Sequence, residues 1–299
     1  MLVAFEEAER QRNATQAHDR LTFVIVGGGP TGVELAGALA EIGREAMGPD
    51  FPNLRLDDLA ILLVEGGPRI LPGFSSDLSA KAAPALERMG VTIKLNSPVS
   101  DVRVDGMKMG KEFFPSTHII WAAGNRASPL LTSLGAPQDG AGRILVQPDL
   151  TIPGDPWIFV IGDAAHCVGP DDHPLPGLAP VAMQQGRYVA GLLRQEIGPE
   201  QRRPFVYADR GVLATMGRAQ AVAQIGSLHL SGLVAWLLWC VVHIFFLIGF
   251  RNRVRVMLEW IWYYVTFKPG ARVIYELPQP PREEQKTSQA RHAENDSKE

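Results

Sequence analysis

LTFVIVGGGPTGVELAGALAE, residues 21–41, decides the fold. Phe23, Val24, Ile25 and Val26 form a short continuous apolar run, which reads as a strand. Gly27-Gly28-Gly29-Pro30-Thr31-Gly32 follows at once, and Val33, Leu35, Ala36, Leu39 and Ala40 then recur at helical spacing. The stretch is strand, glycine turn, helix, and Gly27, Gly29 and Gly32 fit G-x-G-x-x-G. Gly27 suits a tight turn, Gly29 keeps side chains away from a pyrophosphate, and Gly32 lets helix and strand pack closely. A diphosphate would rest on the free amides around Thr31 at the helix start, where the helix dipole favours negative charge. The plainer alternative is a glycine-rich turn that only packs a helix on a sheet.

Working outward, 299 residues suggest two domains, and a 46% apolar content is ample for a core. A net charge of −3 gives no reason to expect nucleic acid as a partner. Cys167 and Cys240 are far apart and make no C-x-x-C, which argues against a disulfide framework, a zinc site or a dithiol centre. The start, MLVAFEEAERQRN, lacks the apolar core of a signal peptide, so cytoplasmic synthesis and retention are expected. Residues 2–17 read as a surface helix with Leu2, Phe5 and Ala8 on its apolar face.

The helix after the glycine turn is expected to run to about Met47, followed by a loop over 48–58. Glu34 lies one turn into this helix. It is either a carboxylate favoured by the helix dipole or a partly buried acid that handles protons near a cofactor. Leu59–Val64 is the next buried strand, and Glu65 sits at its end. An acid there hydrogen-bonds the ribose of NAD and repels the 2′-phosphate of NADP; the alternative is a solvated strand-end charge. Ser76–Met89 reads as a helix and Val91–Leu95 as a strand. Val99–Val104 and Met107–Phe114 read as a meander around Asp105-Gly106, and His118–Trp121 as a strand. Ala122, Ala123 and Gly124 end that strand and are small enough for a cofactor to approach the backbone.

Trp157–Ile161 is a further apolar strand running into Gly162-Asp163. Such a turn sets one carboxylate on a sugar-like chain, or is an Asx turn or helix cap. A helix is expected from about Val181 to Glu196; Gln184 and Gln185 are surface residues or donors to a carbonyl ligand. Phe205–Val222 reads as a strand pair. Leu230–Phe250 is 21 residues without a formal charge, long enough to span a membrane. Arg251, Arg253 and Arg255 follow, then the short apolar segment Val256–Phe267 with Trp260, Trp262, Tyr263 and Tyr264. A single span would set the arginines inside and the nucleotide-binding domain outside, away from NADH. Two helices lying in the interface avoid that conflict and are favoured over a span, and a fully soluble core helix is the third reading, weakened by the arginine and aromatic flanks. Residues 276–299 are polar and charged, as in a disordered tail.

Taken in order, VIVGGGPTGVELAG (24–37), LLVEGGPRILP (62–72), WAAG (121–124), IFVIGDAA (158–165), LAPVAMQQG (178–186), YADRGVLATMGRAQAV (207–222) and HIFFLIGFRNR (243–253) resemble the type II NADH dehydrogenases, single-subunit flavoprotein NADH:quinone oxidoreductases. The resemblance runs from about residue 1 to 275. It implies an α/β two-dinucleotide-binding-domain flavoprotein: a Rossmann-like NAD domain inserted in an FAD domain, the latter incomplete, with C-terminal amphipathic membrane-associated helices. Residues 1–20 would end the first FAD-domain segment, 21–125 form the NADH-binding domain, and 126–222 form the second FAD-domain segment with a quinone-site helix. Residues 223–275 would be membrane-anchoring helices and 276–299 the tail.

By the same resemblance, Gly27, Gly29, Thr31, Gly32 and Glu65 bind NADH, with Ala123 and Gly124 beside the cofactor. Gly162 and Asp163 hold the FAD ribityl side, and Ala179 to Gln185 line the flavin face and the quinone. Gln184 and Gln185 match the paired glutamines of the family's quinone motif, and Glu34 its proton-handling glutamate. The expected reaction passes a hydride from NADH to FAD and two electrons to a quinone, without proton pumping. The expected location is the cytoplasmic face of the bacterial inner membrane, peripheral rather than spanning, with a homodimer among the expected states. Three features depart from the family. Its N-terminal G-x-G-x-x-G is not in this chain, so about half of the FAD domain is expected to be absent and the chain resembles the C-terminal portion of a longer protein. Pro180 stands where the quinone motif usually has Gln, and Asn125 where a small apolar residue is usual. The alternative function is therefore an NADH-binding, membrane-associated fragment that holds no FAD and is inactive alone.

Overall fold

Three parallel strands, β1 (Leu21–Val26), β2 (Leu59–Val64) and β3 (Val91–Lys94), start the chain's main sheet. An antiparallel meander follows, β4 (Val99–Arg103), β5 (Gly106–Met109) and β6 (Glu112–Pro115), and β7 (His118–Trp121) then returns to pair with β1. The sheet order is β3-β2-β1-β7. The computed structural model describes residues 2–12, 21–46, 51, 54, 59–116, 118–170 and 172–266. The ends of the expected N-terminal helix and of the helix reaching Met47, most of the loop 48–58 and the tail 276–299 lie outside the described residues.

The apolar runs in β1 and β2 are continuous because both sheet faces are covered. Phe23, Ile25, Ile61 and Leu63 pack against α2 (Pro30–Glu41) and α3 (Ser76–Arg88). Val24, Val26, Leu62 and Val64 pack on the other face against Met107 of the meander. α1 (Leu2–Arg12) adds Ala4 and Phe5 to the helix side, with Phe5 stacked on Phe23 at 6.1 Å. α2 continues into a turn of wider π-helix, Ile42–Ala46.

The following segment has no large sheet. Short strands β8 (Ile144–Leu145), β9 (Thr151–Ile152), β10 (Asp155–Phe159) and β11 (Ala165–His166) form two two-stranded sheets around Ile144, Ile152, Val160 and Ala165. The strand expected at Trp157–Ile161 is thus shifted to Asp155–Phe159. Among the described residues its only strand partner is β9, and Trp157 and Ile158 are exposed. α4 (Ala179–Arg194) starts two residues earlier than its periodicity indicates, at Ala179-Pro180, since proline suits a helix's first turn.

Residues 205–211 are not strand; the expected pair begins only at β12 (Val212–Gly217), which joins β13 (Gln220–Ile225) and β14 (Leu228–Ser231) in an antiparallel sheet. Ala214, Met216 and Val222 of this sheet enter the core on the helix side. The approach to α2 is so close that a β-carbon on Gly37 would strike the Met216 backbone. The apolar stretch 230–250 is not one helix. β14 takes its start, α5 (Leu233–Phe246) is 14 residues, and a turn with Gly249 at φ +81° leads into α6 (Phe250–Thr266). At 1.5 Å per residue α5 is about 21 Å long, short of the ~30 Å hydrocarbon core. No helix among the described residues is long and apolar enough to cross a membrane. Arg218 ties this region to the rest: its guanidinium bonds the Tyr263 and Tyr264 carbonyls and lies over the Tyr264 ring, while its amide bonds Glu41 of α2.

Candidate active site

The glycine turn sits at the carboxyl ends of the parallel strands, where open α/β sheets bind ligands. Gly27 has φ +110°, a conformation that L side chains rarely adopt, and an added β-carbon would lie 2.7 Å from Ala122 and Ala123 backbone atoms. A β-carbon on Gly32 would fall on the Gly27 carbonyl oxygen, so the helix start touches the turn. One on Gly29 would meet nothing within 4 Å. The turn is therefore closed behind and open in front. No side chain caps the first turn of α2, and Thr31 is exposed there.

Glu65 reaches this turn across 37 residues of sequence. Its carboxylate accepts the Gly28 amide at 2.6 Å and the Gly67 amide at 2.7 Å. Gly28, outside the G-x-G-x-x-G pattern, is thus also crowded, because a β-carbon there would lie 2.9 Å from the carboxylate. The Gly28 carbonyl accepts the amide of Leu71, a buried residue at φ +49°. Both backbone groups of Gly28 are held, and the loop is pre-shaped.

From Gly27 the chain contact passes to Ala122 and Ala123, and Gly124 and Asn125 lead into a cleft of about 260 Å³. Gly162, Asp163, Arg143, Gly177, Val181 and Gln185 also line it. Gly162 has φ +65°, and its amide donates to Gln185 Oε1 at 2.6 Å. Gln185 is 1% exposed, so its carbonyl end is a strut beneath the Gly162–Asp163 turn. Gln184 points the other way. Its amide pairs with both backbone groups of Ala208, at 2.9 and 3.0 Å. The two glutamines, expected to meet a quinone, each bond protein backbone on opposite sides of α4. Ala179 is the first residue of that helix. Asn125 donates to Asp163 Oδ2 at 3.3 Å, so the residue that departs from the expected small apolar type orients the cleft's carboxylate.

Glu34, one turn into α2, faces β12. It accepts the Thr215 amide at 3.2 Å. Burial raises its pKa above 4.5, opposed by the Thr215 amide, His243 and Trp239. The last two belong to α5, and no motif in the sequence places either near Glu34. The indole nitrogen of Trp239 is buried, and the His243 ring lies tilted against Trp239 with centroids 4.0 Å apart. Nothing in the linear sequence signals this meeting, which comes from α5 folding back on β12 and β13.

The raised pKa has a thermodynamic consequence. Below about pH 4.5 the carboxyl is protonated whether folded or unfolded. As pH rises, the unfolded chain ionises first and stability falls through the folded pKa. Glu34→Gln keeps an acceptor for Thr215 and removes that cost. Thermal melts are expected to show the variant matching wild type near pH 4 and exceeding it near pH 7. A variant less stable at pH 7 would contradict this account.

The fold, with a nucleotide-type glycine turn feeding a second cleft, defines a class. The chain matches the family model of the pyridine nucleotide-disulphide oxidoreductases over residues 3–186 and that of the NDH2 C-terminal domain over 210–266. It belongs to the type II NADH:quinone oxidoreductase (NDH2) family of that class. It is 37% identical over 286 residues to the type II NADH:quinone oxidoreductase Ndh of Mycobacterium tuberculosis, covering 92% of this chain and 61% of that protein. It is 34% identical over 222 residues to the type II NADH:quinone oxidoreductase of Staphylococcus aureus, covering 71% of this chain and 53% of that one. NDH2 from Plasmodium falciparum, solved in complex with NADH, shares the fold with a TM-score of 0.78 at 18% identity, covering 91% of this chain and 71% of that chain. The chain thus spans between half and two thirds of the length of these curated relatives.

Proposed function

We propose that this chain carries the NADH seat and the flavin- and quinone-facing surfaces of a non-pumping NADH:quinone oxidoreductase. The observation that carries the reading is the continuity of the Gly27 turn with the Asp163 cleft through Ala122 to Asn125. The residues fit their proposed ligands. The open face of Gly29 and the uncapped α2 N-terminus suit a pyrophosphate. Glu65, anchored by two amides, keeps lone pairs for ribose hydroxyls and repels a 2′-phosphate, which favours NADH. Asp163, oriented by Asn125, suits a ribityl chain.

When bound, FAD supplies the hydride acceptance and two-electron release that no side chain provides. The chain's own residues orient and exclude. Gln185 holds the Gly162 turn and Gln184 holds the 205–211 segment, so both act by positioning. Quinone reduction consumes two electrons and two protons. Burial raises the pKa of Glu34, which makes its carboxyl, near Trp239 and His243, a candidate to exchange one of those protons.

The membrane surface is the proposed site of quinone capture, on the cytoplasmic face where NADH is available. α5 and α6 expose Leu237, Val241, Phe245, Ile261, Trp262 and Val265, with Arg251 and Arg255 beside them. Ile248 and Phe250 at the turn are 92% and 81% exposed, so they suit burial in the acyl boundary. Ile248→Asp with Phe250→Asp is expected to abolish co-sedimentation with anionic phospholipid vesicles and leave the melting temperature unchanged. Unchanged co-sedimentation would remove this surface from the reading.

The proposed activity is tested by following NADH oxidation with a short-chain quinone and added FAD. FAD-dependent turnover is expected. NADH binding without turnover at saturating FAD would favour the fragment alternative.

A further inference from the structure

Arg143 is the one cationic side chain lining the Asp163 cleft among the described residues, and its guanidinium is fixed from behind. Asp139 Oδ2 accepts Arg143 Nε at 2.7 Å, and the same oxygen lies 2.9 Å from His166 Nδ1. Asp139 Oδ1 accepts the amides of Ala141 and Arg143, both at 2.9 Å. The Asp139 carboxylate therefore has four protein partners. Burial opposes its ionisation, but the hydrogen bonds from His166, Arg143 and Ala141 outweigh that and hold it well below the usual carboxylate range. Arg143 Nη2 also lies 3.4 Å from His166 Nδ1, which leaves Nη1 as the end of the guanidinium that can meet a ligand. The Arg143 side chain is 24% exposed, so that end is neither buried in the core nor loose on the surface.

A structural role alone explains the Asp139 pair, since it also pins the turn 139–143. It does not explain why the fixed cation lines the same cleft as Asp163, Asn125 and the backbone of Gly162 and Gly177. A carboxylate and an amide suit hydroxyl groups, and a pre-oriented guanidinium suits a phosphate. Polyol and phosphate occur together in the ribityl-phosphate portion of a flavin nucleotide. The cleft's 260 Å³ lies below the roughly 300–1,000 Å³ of whole-ligand pockets, so it seats part of a larger ligand.

We infer that Arg143, locked by Asp139 and His166, binds the phosphate next to the flavin ribityl chain. Asp163 and Asn125 take the ribityl hydroxyls. The inference rests on the flavin reading above and assigns it a phosphate contact within this chain.

The test compares FMN with riboflavin, which differ only in that phosphate, by flavin fluorescence titration of the full chain. Wild type is expected to bind FMN roughly 10- to 100-fold more tightly than riboflavin, the range for a hydrogen bond to a charged group. Arg143→Met is expected to erase that ratio and leave riboflavin affinity as it was. Arg143→Lys keeps the charge without the Nε lock and is expected to retain part of the ratio. Inorganic phosphate is expected to compete with FMN and not with riboflavin. Equal weakening of both flavins by Arg143→Met would show a purely structural role and overturn the inference alone. A wild-type ratio near one would do the same. Failure of wild type to bind either flavin would overturn the flavin reading and the inference with it.

Discussion

Gly32→Ala is expected to abolish NADH binding and to lower the melting temperature together. The added β-carbon falls on the Gly27 carbonyl oxygen, which is backbone and cannot swing aside. Either α2 moves away from β1 or the Gly27 turn opens. Overpacking of this kind costs about 1–3 kcal/mol, and here the strain lands on the surface proposed to hold the pyrophosphate. Gly29→Ala is the companion. Its β-carbon meets nothing within 4 Å, so the fold should be unaffected. The methyl instead stands in the space proposed for the ligand, and NADH affinity should fall with no loss of stability. Thermal melts and NADH fluorescence titration on the pair separate the packing role from the binding role. Equal affinity of Gly29→Ala and wild type would remove the pyrophosphate from this turn.

Gln185→Leu has the second large expected effect. The side chain is 1% exposed and accepts the Gly162 amide at 2.6 Å. Leucine fills similar volume and leaves that amide without its acceptor, a cost of about 1–3 kcal/mol. Gly162 is already in a left-handed conformation at φ +65°, and the freed turn keeps the Ala165 amide on the Gly162 carbonyl but loses its anchor to α4. Asp163 follows directly, and its carboxylate loses its set position in the cleft. Flavin affinity is expected to fall by about tenfold or more, with a lower melting temperature. Gln184→Leu should behave differently. Its amide serves Ala208 at the exposed side of α4, so it should loosen the 205–211 segment and leave flavin affinity near wild type. Identical behaviour of the two variants would contradict the separate roles the geometry gives them.

What could be read in advance follows from how local each signal is. The buried strands β1 and β2 announce themselves through unbroken apolar runs, and the glycine turn through Gly27 and Gly32, which a close backbone approach requires, with Gly29 open between them. Glu65 is conspicuous at a strand end, but its bond to Gly28 depends on the parallel pairing that brings Val26 beside Val64. The importance of Gly28 follows from that pairing and from no motif. Periodicity set helix α4 within two residues, yet not where its glutamines aim. Ala208 and Gly162 are 24 and 23 residues from their partners, and only the tertiary fold brings them within reach. The stretch 230–250 misleads because hydropathy counts residues and not backbone breaks. Gly232 at φ +71° and Gly249 at φ +81° lie at either end of α5 and cut the run below spanning length. The same folding-back brings Trp239 and His243 to Glu34, a meeting of α2 and α5 across some 200 residues that no local pattern encodes.

The central claim is that this chain joins a nicotinamide seat to a flavin cleft. The most direct measurement is the absorption spectrum of the purified 299-residue chain with added FAD, taken without oxygen, before and after NADH and then quinone. The account predicts a protein-bound flavin band that bleaches with NADH and returns with quinone. A flavin band that NADH leaves unbleached, although NADH binds, would contradict the joining of the two sites. No bound flavin at all would contradict the assignment of the Asp163 cleft.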